Sequence, residues 1–187
     1  MKKVPVYILA GGKSSRFGAD KARHEIDGVP LIRRVAESLR PVASEVTVVA
    51  NRAGEYQDLG MRTIADIEQG LGPLGGVLTA LEHRKRGWLL CATCDRIGLK
   101  ADWLEELVLA ARDELQAVAF KEDMWQPFPA MYHCSMLELF RRALAEGGRS
   151  TWRLIECAAS HALPLPADWG DSVDINRPEQ ATQIGGN

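Results

Sequence analysis

A pair of glycines followed by three basic residues is the part of the sequence best suited to chemistry. Gly11 and Gly12 come directly after an apolar run, and Lys13, Arg16 and Lys21 follow within nine residues. Adjacent glycines let a backbone approach a ligand closely, because no Cβ stands in the way. Exposed amides and nearby cations together form a cradle for a polyphosphate. The segment therefore predicts a phosphate-binding loop, and the alternative is an ordinary turn with solvated cations.

The spacing of this loop differs from two common phosphate-binding motifs. A Walker A loop requires a glycine five positions before Gly12, where Tyr7 stands instead. The dinucleotide fingerprint requires Gly-x-Gly-x-x-Gly at the opening of a helix, which Gly11, Gly12 and Gly18 do not supply. The sequence therefore disfavours an oxidoreductase that binds a nicotinamide dinucleotide.

Acidic side chains follow two of the later apolar runs. Asp95 comes shortly after the run 88–93, and Asp66 precedes a glycine-rich segment at 70–76. Magnesium prefers hard oxygen ligands and commonly binds through one or two carboxylates together with substrate phosphates. Asp95 is therefore a candidate Mg²⁺ ligand, and the alternative is an aspartate that caps a turn. The loop 70–76 opens a predicted helix, so it either receives a nucleotide on its amides or acts as a connector.

The composition indicates one domain spanning residues 1–187. The chain has 187 residues and a formal net charge of −2, which gives no indication of a nucleic-acid footprint or of membrane binding through bulk charge. No apolar run approaches the length of a membrane span, and no signal peptide is evident at the start. We therefore expect a cytoplasmic protein with no nucleic-acid or membrane partner.

Cys91 and Cys94 form a C-x-x-C pair, which in other settings marks a zinc or redox site. Here the pair lies at the end of an apolar run that predicts a strand, and positions three apart on a strand point to opposite faces. The sequence has four cysteines and four histidines, and they are dispersed without metal-ligand spacing. We interpret both thiols as small core residues.

Strand and helix patterns alternate along the chain. Continuous apolar strands separated by amphipathic helices predict a mostly parallel sheet covered on both faces. Ligands bind beyond the carboxyl ends of the strands in such sheets. The predicted strands are 4–10, 45–50, 61–65, 88–93, 117–120, 129–132 and 172–175, and the predicted helices are 30–39, 74–86, 102–115, about 135–145, 151–158 and one that begins at Pro178. Asp174 and Asn176, at the end of the last strand, either complete a metal or acceptor site or cap that final helix.

Several motifs, in order along nearly the whole chain, resemble those of the molybdenum cofactor guanylyltransferase family. The first block alone is typical of the wider nucleotidyltransferase superfamily, whereas the combination is more specific. The motifs are Leu9-Ala-Gly-Gly-Lys-Ser-Ser-Arg-Phe-Gly with Asp20-Lys21, Asp66 with Gly-Pro-Leu-Gly-Gly, Cys94-Asp95, Gln126-Pro127, and Asp174-Ile-Asn-Arg-Pro-Glu.

The resemblance implies a single Rossmann-like three-layer α/β domain with a mostly parallel central sheet, of the nucleotidyltransferase type. It also implies an enzyme that transfers GMP from GTP to molybdopterin cofactor, depends on Mg²⁺ and releases pyrophosphate. Transient contact with other proteins of molybdenum cofactor biosynthesis, or with acceptor proteins, is compatible with that role. By position, Leu9, Ala10 and Gly11 would contact the base and sugar; Gly12, Arg16 and Lys21 the phosphates; Asp66 the guanosine; Asp95 the Mg²⁺; and Gln126, Pro127, Asp174 and Asn176 the acceptor side.

Two positions depart from the family pattern. A family asparagine that contacts the nucleotide falls at Val49, although Asn51 is close by, and the closing Asn-Thr-Pro reads Asn176-Arg177-Pro178. The Leu-Ala-Gly-Gly form resembles guanine users. Three alternatives stay open: cytidylyl transfer to the same cofactor, nucleotidyl transfer to a sugar or corrinoid phosphate, and a non-catalytic nucleotide-binding regulator.

Overall fold

The computed structural model describes residues 2–11, 20–177 and 180. Gly12 and Arg16 of the predicted phosphate loop lie outside the described residues, as does most of the helix predicted from Pro178 onward.

Eleven strands and five α-helices make up the regular structure of the described residues. In chain order they are β1 (Val4–Leu9), β2 (Glu25–Ile26), β3 (Val29–Pro30), α1 (Leu31–Leu39), β4 (Ala43–Ala50), β5 (Thr63–Ala65), α2 (Gly72–Arg84), β6 (Trp88–Thr93), β7 (Arg96–Ile97), α3 (Ala101–Ala110), β8 (Ala117–Lys121), β9 (Trp125–His133), α4 (Leu137–Ala145), α5 (Thr151–Cys157), β10 (Ser160–Pro164) and β11 (Val173–Asp174). None of these helices is long and apolar enough to cross a lipid bilayer.

Seven of the strands form one mostly parallel sheet in the spatial order β10-β8-β9-β6-β1-β4-β5. Strand β1 pairs in parallel with both β4 and β6, and β4 pairs in parallel with β5. Strand β9 runs antiparallel to β6 and β8. Because the parallel strands β6, β1, β4 and β5 are neighbours, their carboxyl ends lie side by side at one edge.

Helices cover both faces of this sheet and enclose two apolar clusters. Side chains of α1 and α3 pack on one face with Val6 and Ile8 of β1. Side chains of α2, α4 and α5 pack on the other face with Tyr7 and Leu9. All six residues of β1 are buried, as expected for a strand covered on both sides. The predicted three-layer α/β architecture is therefore confirmed.

Cys91 and Cys94 lie on opposite faces of the sheet. Cys91 belongs to the cluster beneath α2, and Cys94 belongs to the cluster beneath α1 and α3. Burial raises the pKa of both thiols, that of Cys94 to about 12. The prediction that both are core residues is confirmed.

Three details of the predicted elements need correction. Helix α3 ends at Ala110 rather than at 115, because extended backbone at Ala111 and the polar run after it lead the chain back toward β8. Strand β10, which was not predicted because most of its residues are exposed and form no apolar run, lies at one edge of the sheet. The strand predicted at 172–175 is the short β11, which pairs antiparallel with β7 outside the main sheet.

Candidate active site

The sheet order brings four predicted site residues to one edge of the molecule. Gly11 follows β1, Asn51 follows β4, Asp66 follows β5, and Asp95 follows β6 by two residues. These four strands are adjacent, so the residues that follow them share the edge at which parallel sheets bind ligands.

Lys21 and Asp95 form an ion pair at this edge. Lys21 Nζ lies 2.7 Å from Asp95 Oδ2 and 3.2 Å from Asn176 Oδ1. Only 13% of the lysine side chain and 24% of the aspartate side chain are exposed. The lysine belongs to a short 3-10 turn, Lys21–Arg23, whose start is capped by Asp20 Oδ1 accepting from the Ala22 N–H. A capped turn and a partly desolvated pair hold the ammonium in place.

Residues 168–177, which we call the C-terminal strap, bring Asn176 to this pair. The Ile175 N–H donates to the Asp95 carbonyl at 2.9 Å, and β11 pairs with β7 next to Asp95. The strap crosses Gly98 closely: a Cβ at that position would stand 2.8 Å from the Asp171 carbonyl oxygen. The φ of Gly98 is also +78°, which favours glycine.

Arg96 anchors the strap and orients Asp174. Its side chain is 11% exposed and pairs with Asp174 Oδ2 at 3.3 Å. Its Nη2 donates to Ser172 Oγ at 2.9 Å, and its guanidinium lies over the Trp169 ring at 4.2 Å. Burial raises the pKa of Asp174 and the nearby Asp95 charge raises it further, while Arg96 opposes both effects.

Oxygen ligands suitable for Mg²⁺ converge here. Lys21 places a positive charge against the Asp95 carboxylate and the Asn176 amide oxygen. Asp174 adds a second carboxylate, and its own pKa is raised by burial and by the nearby Asp95 charge. The described residues contain no group of three or more metal-ligating His, Cys, Asp or Glu side chains. This donor set fits an ion that takes one or two carboxylates and completes its shell with phosphates and water.

A cavity of about 560 Å³ opens at the same edge, beyond β4 and β5. Its volume is within the usual range for small-molecule sites. The residues that line it are Gly11, Asn51, Arg52, Glu55, Asp66, Gln69, Gly70 and Gly72.

Asp66 is fixed in the cavity wall by Thr79 of α2. The buried Thr79 hydroxyl donates to Asp66 Oδ1 at 2.6 Å and accepts from the Ile67 N–H at 3.1 Å. Asp66 Oδ2 lies 3.6 Å from the position that a Cβ on Gly11 would occupy. The carboxylate therefore borders the passage between the cavity and the end of β1.

Leu9 and Ala10, the other residues predicted to contact the base and sugar, do not line the cavity. Both form backbone hydrogen bonds with neighbouring parts of the sheet. Leu9 is buried, and its carbonyl accepts from the Cys94 N–H at 3.1 Å. The Ala10 N–H donates to the Val49 carbonyl at 2.8 Å. The Val49 side chain is buried in the apolar cluster beneath α2, whereas Asn51 reaches the cavity.

Gln126 and Pro127 stand near this edge on the neighbouring strand. They lie at the start of β9, which runs antiparallel to β6 and so begins where β6 ends. The Tyr132 hydroxyl donates to the Pro127 carbonyl at 2.8 Å and fixes this end of the strand. The cavity, Gly11, Lys21 and the start of β9 therefore lie along the same edge of the sheet.

The sequence did not reveal three supporting residues. Arg96 adjoins Asp95, but its pairing depends on a strap 76 or more residues away in the chain. Thr79 has the appearance of an ordinary residue within a helix. Glu55 lies in a polar stretch in which no spacing distinguishes it from the surrounding surface residues.

Nucleotidyltransferases bind a nucleoside triphosphate across such an edge, and the fold and the comparisons with known proteins together place the protein in this class of enzyme. The profile of the MobA-like NTP transferase domain matches residues 6–163, and the chain belongs to that family. The resemblance seen in the sequence is thereby confirmed.

Named relatives and a solved structure agree with this assignment. The chain is 34% identical to a probable molybdenum cofactor guanylyltransferase of Deinococcus radiodurans, over 96% of this chain and 92% of that protein. It is 33% identical to the molybdenum cofactor guanylyltransferase of Vibrio vulnificus, over 95% and 93%. Molybdopterin-guanine dinucleotide biosynthesis protein A from Archaeoglobus fulgidus shares the fold with a TM-score of 0.81, at 24% identity and 97% coverage of both chains.

Proposed function

We propose that the protein transfers GMP from GTP to molybdopterin cofactor and releases pyrophosphate. Relatives above 30% identity carry the name of this activity. The observation that carries the proposal is the Lys21–Asp95 pair. Its two partners are 74 residues apart in the chain and meet at the edge that also holds a cavity of nucleoside size.

The order of the strands suggests how GTP would lie. The cavity is beyond β4 and β5, the ion pair is beyond β6, and β1 with Gly11 lies between them. We propose that guanosine occupies the cavity with its ribose near Asp66. The triphosphate would then pass over Gly11, where a side chain would narrow the passage, and reach Lys21. The acceptor would approach from the side of β9 and the strap, where Gln126, Pro127, Asp174 and Asn176 lie.

The proposed reaction is a displacement at the α-phosphorus of GTP. An oxygen of the acceptor's terminal phosphate forms the new P–O bond, and the bond to pyrophosphate breaks. The attacking oxygen is already anionic, so the reaction needs no strong general base. Catalysis then depends on alignment and on neutralising charge, which Lys21 and Arg16 supply from the side of the phosphates.

Mg²⁺ is part of this proposal. Asp95 would hold it, with Asp174 and Asn176 as the nearest further oxygen donors. When bound, the ion neutralises phosphate charge. The Lys21 ammonium would contribute a further positive charge toward the phosphates.

We also propose that the reaction takes place in the cytoplasm, which supplies GTP, and that any contact with other proteins of cofactor biosynthesis is transient. We propose that residues 1–187 form one domain, which is supported by a seven-stranded sheet that draws strands from 4 to 164.

The direct test measures pyrophosphate release from GTP with Mg²⁺, in the presence and absence of molybdopterin. We expect release only with the acceptor, and much slower release from CTP. A thermal-shift comparison of GTP and CTP with Mg²⁺ accompanies it, since a ligand at a hundred times its Kd adds about 2.7 kcal/mol of stability. Faster release from CTP would replace GTP by CTP in the proposal. Binding without release, at saturating acceptor, would indicate a regulator.

A further inference from the structure

Glu55 is a carboxylate in the cavity wall that the proposed reaction does not use. It lines the cavity from the turn after β4, and Asp66 lines the same cavity from the loop after β5. We propose that Glu55 selects guanine by accepting hydrogen bonds from N1–H and the N2 amino group of the base. This inference rests on the proposed function and assigns the residue that makes the site specific for GTP.

The carboxylate of Glu55 is held in position by its own turn. Oε2 accepts from the Arg52 N–H at 3.1 Å, and Oε1 lies 3.8 Å from Arg52 Nη2. The Glu55 carbonyl also accepts from Arg23 Nη2 at 2.6 Å, which ties the turn to the segment that carries Lys21. Only 15% of the side chain is exposed. A glutamate fixed in this way loses little conformational freedom when a base binds.

The carboxylate has capacity left for a base. An ionised carboxylate offers about four acceptor positions, and the Arg52 N–H fills one of them. Two adjacent N–H donors can bind the two oxygens of the carboxylate, as an arginine guanidinium does when it pairs with a carboxylate through two parallel hydrogen bonds.

Asp66 is less suited to this role. One of its oxygens accepts from Thr79, and the other faces Gly11, which leads toward the phosphates. A carboxylate at that position suits ribose hydroxyls. Glu55, on the loop after β4, is then left to face the base. Gln69 Nε2 donates to the Asn51 carbonyl at 2.9 Å and so joins the loop after β5 to the loop after β4.

Base chemistry explains why a carboxylate here selects guanine. Guanine carries two adjacent donors, N1–H and N2–H₂, on one edge. Cytosine and adenine present a ring-nitrogen acceptor beside their amino group, and uracil presents one N–H between two carbonyls. Each of these three would leave an acceptor facing the buried carboxylate, which disfavours binding.

The first test uses the unmodified protein and needs no acceptor. The affinities of GTP and ITP are compared by titration calorimetry with Mg²⁺, because ITP lacks only the N2 amino group. We expect GTP to bind about tenfold more tightly or better, since a hydrogen bond to a charged group is lost with ITP. Affinities within twofold of each other would overturn the role of Glu55.

The second test exchanges the carboxylate for an amide. In Glu55→Gln the side chain offers one acceptor and one donor, which match N1–H and the C2 carbonyl of xanthine. We expect the variant to lose about 10- to 100-fold in affinity for GTP and to bind XTP more tightly than GTP, the reverse of the unmodified protein. Unchanged preference in a folded variant would overturn the inference.

A matched control separates this effect from a change in the loop or its charge. Asp58 lies three residues further along and is 59% exposed, and it pairs with Arg23 rather than lining the cavity. Asp58→Asn removes the same charge, and we expect it to keep the preference for GTP. If the unmodified protein prefers CTP, the proposed function fails. If it prefers GTP but Glu55→Gln does not shift that preference, only the assignment of Glu55 fails.

Discussion

The two ends of the candidate site are built in different ways. Around Lys21, two charged side chains and one amide from three distant parts of the chain meet, and the strap brings the Asn176 amide across 155 residues of sequence. Around the cavity, two short loops that follow the adjacent strands β4 and β5 supply most of the wall. The first end depends on tertiary packing, and the second depends on local turns.

This difference suggests that the two ends of the site have different roles. The charged end contacts parts of the substrate that all nucleoside triphosphates share, so changes there should alter the rate with every nucleotide. In the cavity, Glu55 would contact the base, which differs between nucleotides, so a change at Glu55 should alter the choice of nucleotide. Asp66 would contact the ribose, which nucleotides share, so a change there should weaken all of them alike.

Loss of either partner of the ion pair should have the largest effect on turnover. We expect Lys21→Ala and Asp95→Ala each to lower the rate of pyrophosphate release by about 10²–10³, roughly 3–4 kcal/mol, as for other preorganised charge stabilisers. The ratio of rates with GTP and ITP should stay unchanged. The exposed Lys3→Ala serves as the control. Near-normal turnover in either folded variant would remove that residue from the mechanism.

Displacing the strap should lower stability and turnover together. In Gly98→Ala the new Cβ meets the Asp171 carbonyl oxygen at 2.8 Å, and the backbone at φ +78° is strained for alanine. We expect a loss of about 1–3 kcal/mol in the free energy of unfolding, measured by denaturant titration, together with slower turnover.

Gly60 supplies the matched control for the strap. It has a similar φ of +70°, but a Cβ there would meet no atom within 4 Å. Gly60→Ala should therefore cost only the backbone strain, about 1 kcal/mol, and leave turnover unchanged. If both variants behave alike, close packing of the strap is not what positions Asn176.

Releasing Asp66 should weaken nucleotide binding without changing which nucleotide is preferred. Thr79→Val removes the hydroxyl that holds Asp66 and leaves the Ile67 N–H without that acceptor. We expect KM for GTP to rise about fivefold or more, and the free energy of unfolding to fall by about 1–2 kcal/mol. Thr79→Ser keeps the hydroxyl and should retain most of the affinity. A KM for GTP that does not change in Thr79→Val would show that Asp66 needs no support.

The hydrogen bond between Tyr7 and His83, on the α2 face of the sheet, should make a small contribution to the pH dependence of stability and none to turnover. The Tyr7 hydroxyl lies 2.7 Å from His83 Nδ1; burial and the charge of Arg62 lower the His83 pKa, while burial raises the pKa of Tyr7 to about 12. Below the ordinary histidine pKa of about 6.5, the unfolded chain therefore binds protons more readily than the folded protein. Stability should fall slightly as the pH drops through that region.

His83→Gln should reduce this pH dependence, as measured by thermal unfolding between pH 5 and 8 in small steps. The exposed His161→Gln on edge strand β10 is the control. An unchanged pH dependence in His83→Gln would contradict the prediction. Neither variant should alter turnover or the preference for GTP, because His83 lies on the face of the sheet rather than at its carboxyl edge.

Much of the fold followed from the sequence because parallel strands buried on both faces appear as continuous apolar runs. Strand β6 has the predicted bounds, and β1 differs from its prediction by one residue. Strand β10 was missed because three of its five residues are exposed, so it lacks an apolar run. The antiparallel direction of β9 also could not be predicted, since direction depends on how the connections cross.

The candidate site was predictable where a residue follows a strand by one or two positions. Gly11, Asp66 and Asp95 could be placed at one edge by the sheet rule alone. The contact between Lys21 and Asn176 could not be foreseen from local patterns, because it depends on the path of the strap over Gly98. Glu55 was missed because its role depends on the shape of a cavity, and a cavity leaves no spacing in the sequence.

We propose that one nucleotide spans both ends of this edge. A crystal structure with Mg²⁺ and a GTP analogue carrying a methylene bridge between the α- and β-phosphorus atoms would test this arrangement. We expect guanine in the cavity beside Glu55, ribose at Asp66, and the Lys21 ammonium within hydrogen-bonding distance of the phosphates. A base bound outside the cavity, or a triphosphate that does not reach Lys21 and Asp95, would contradict the claim.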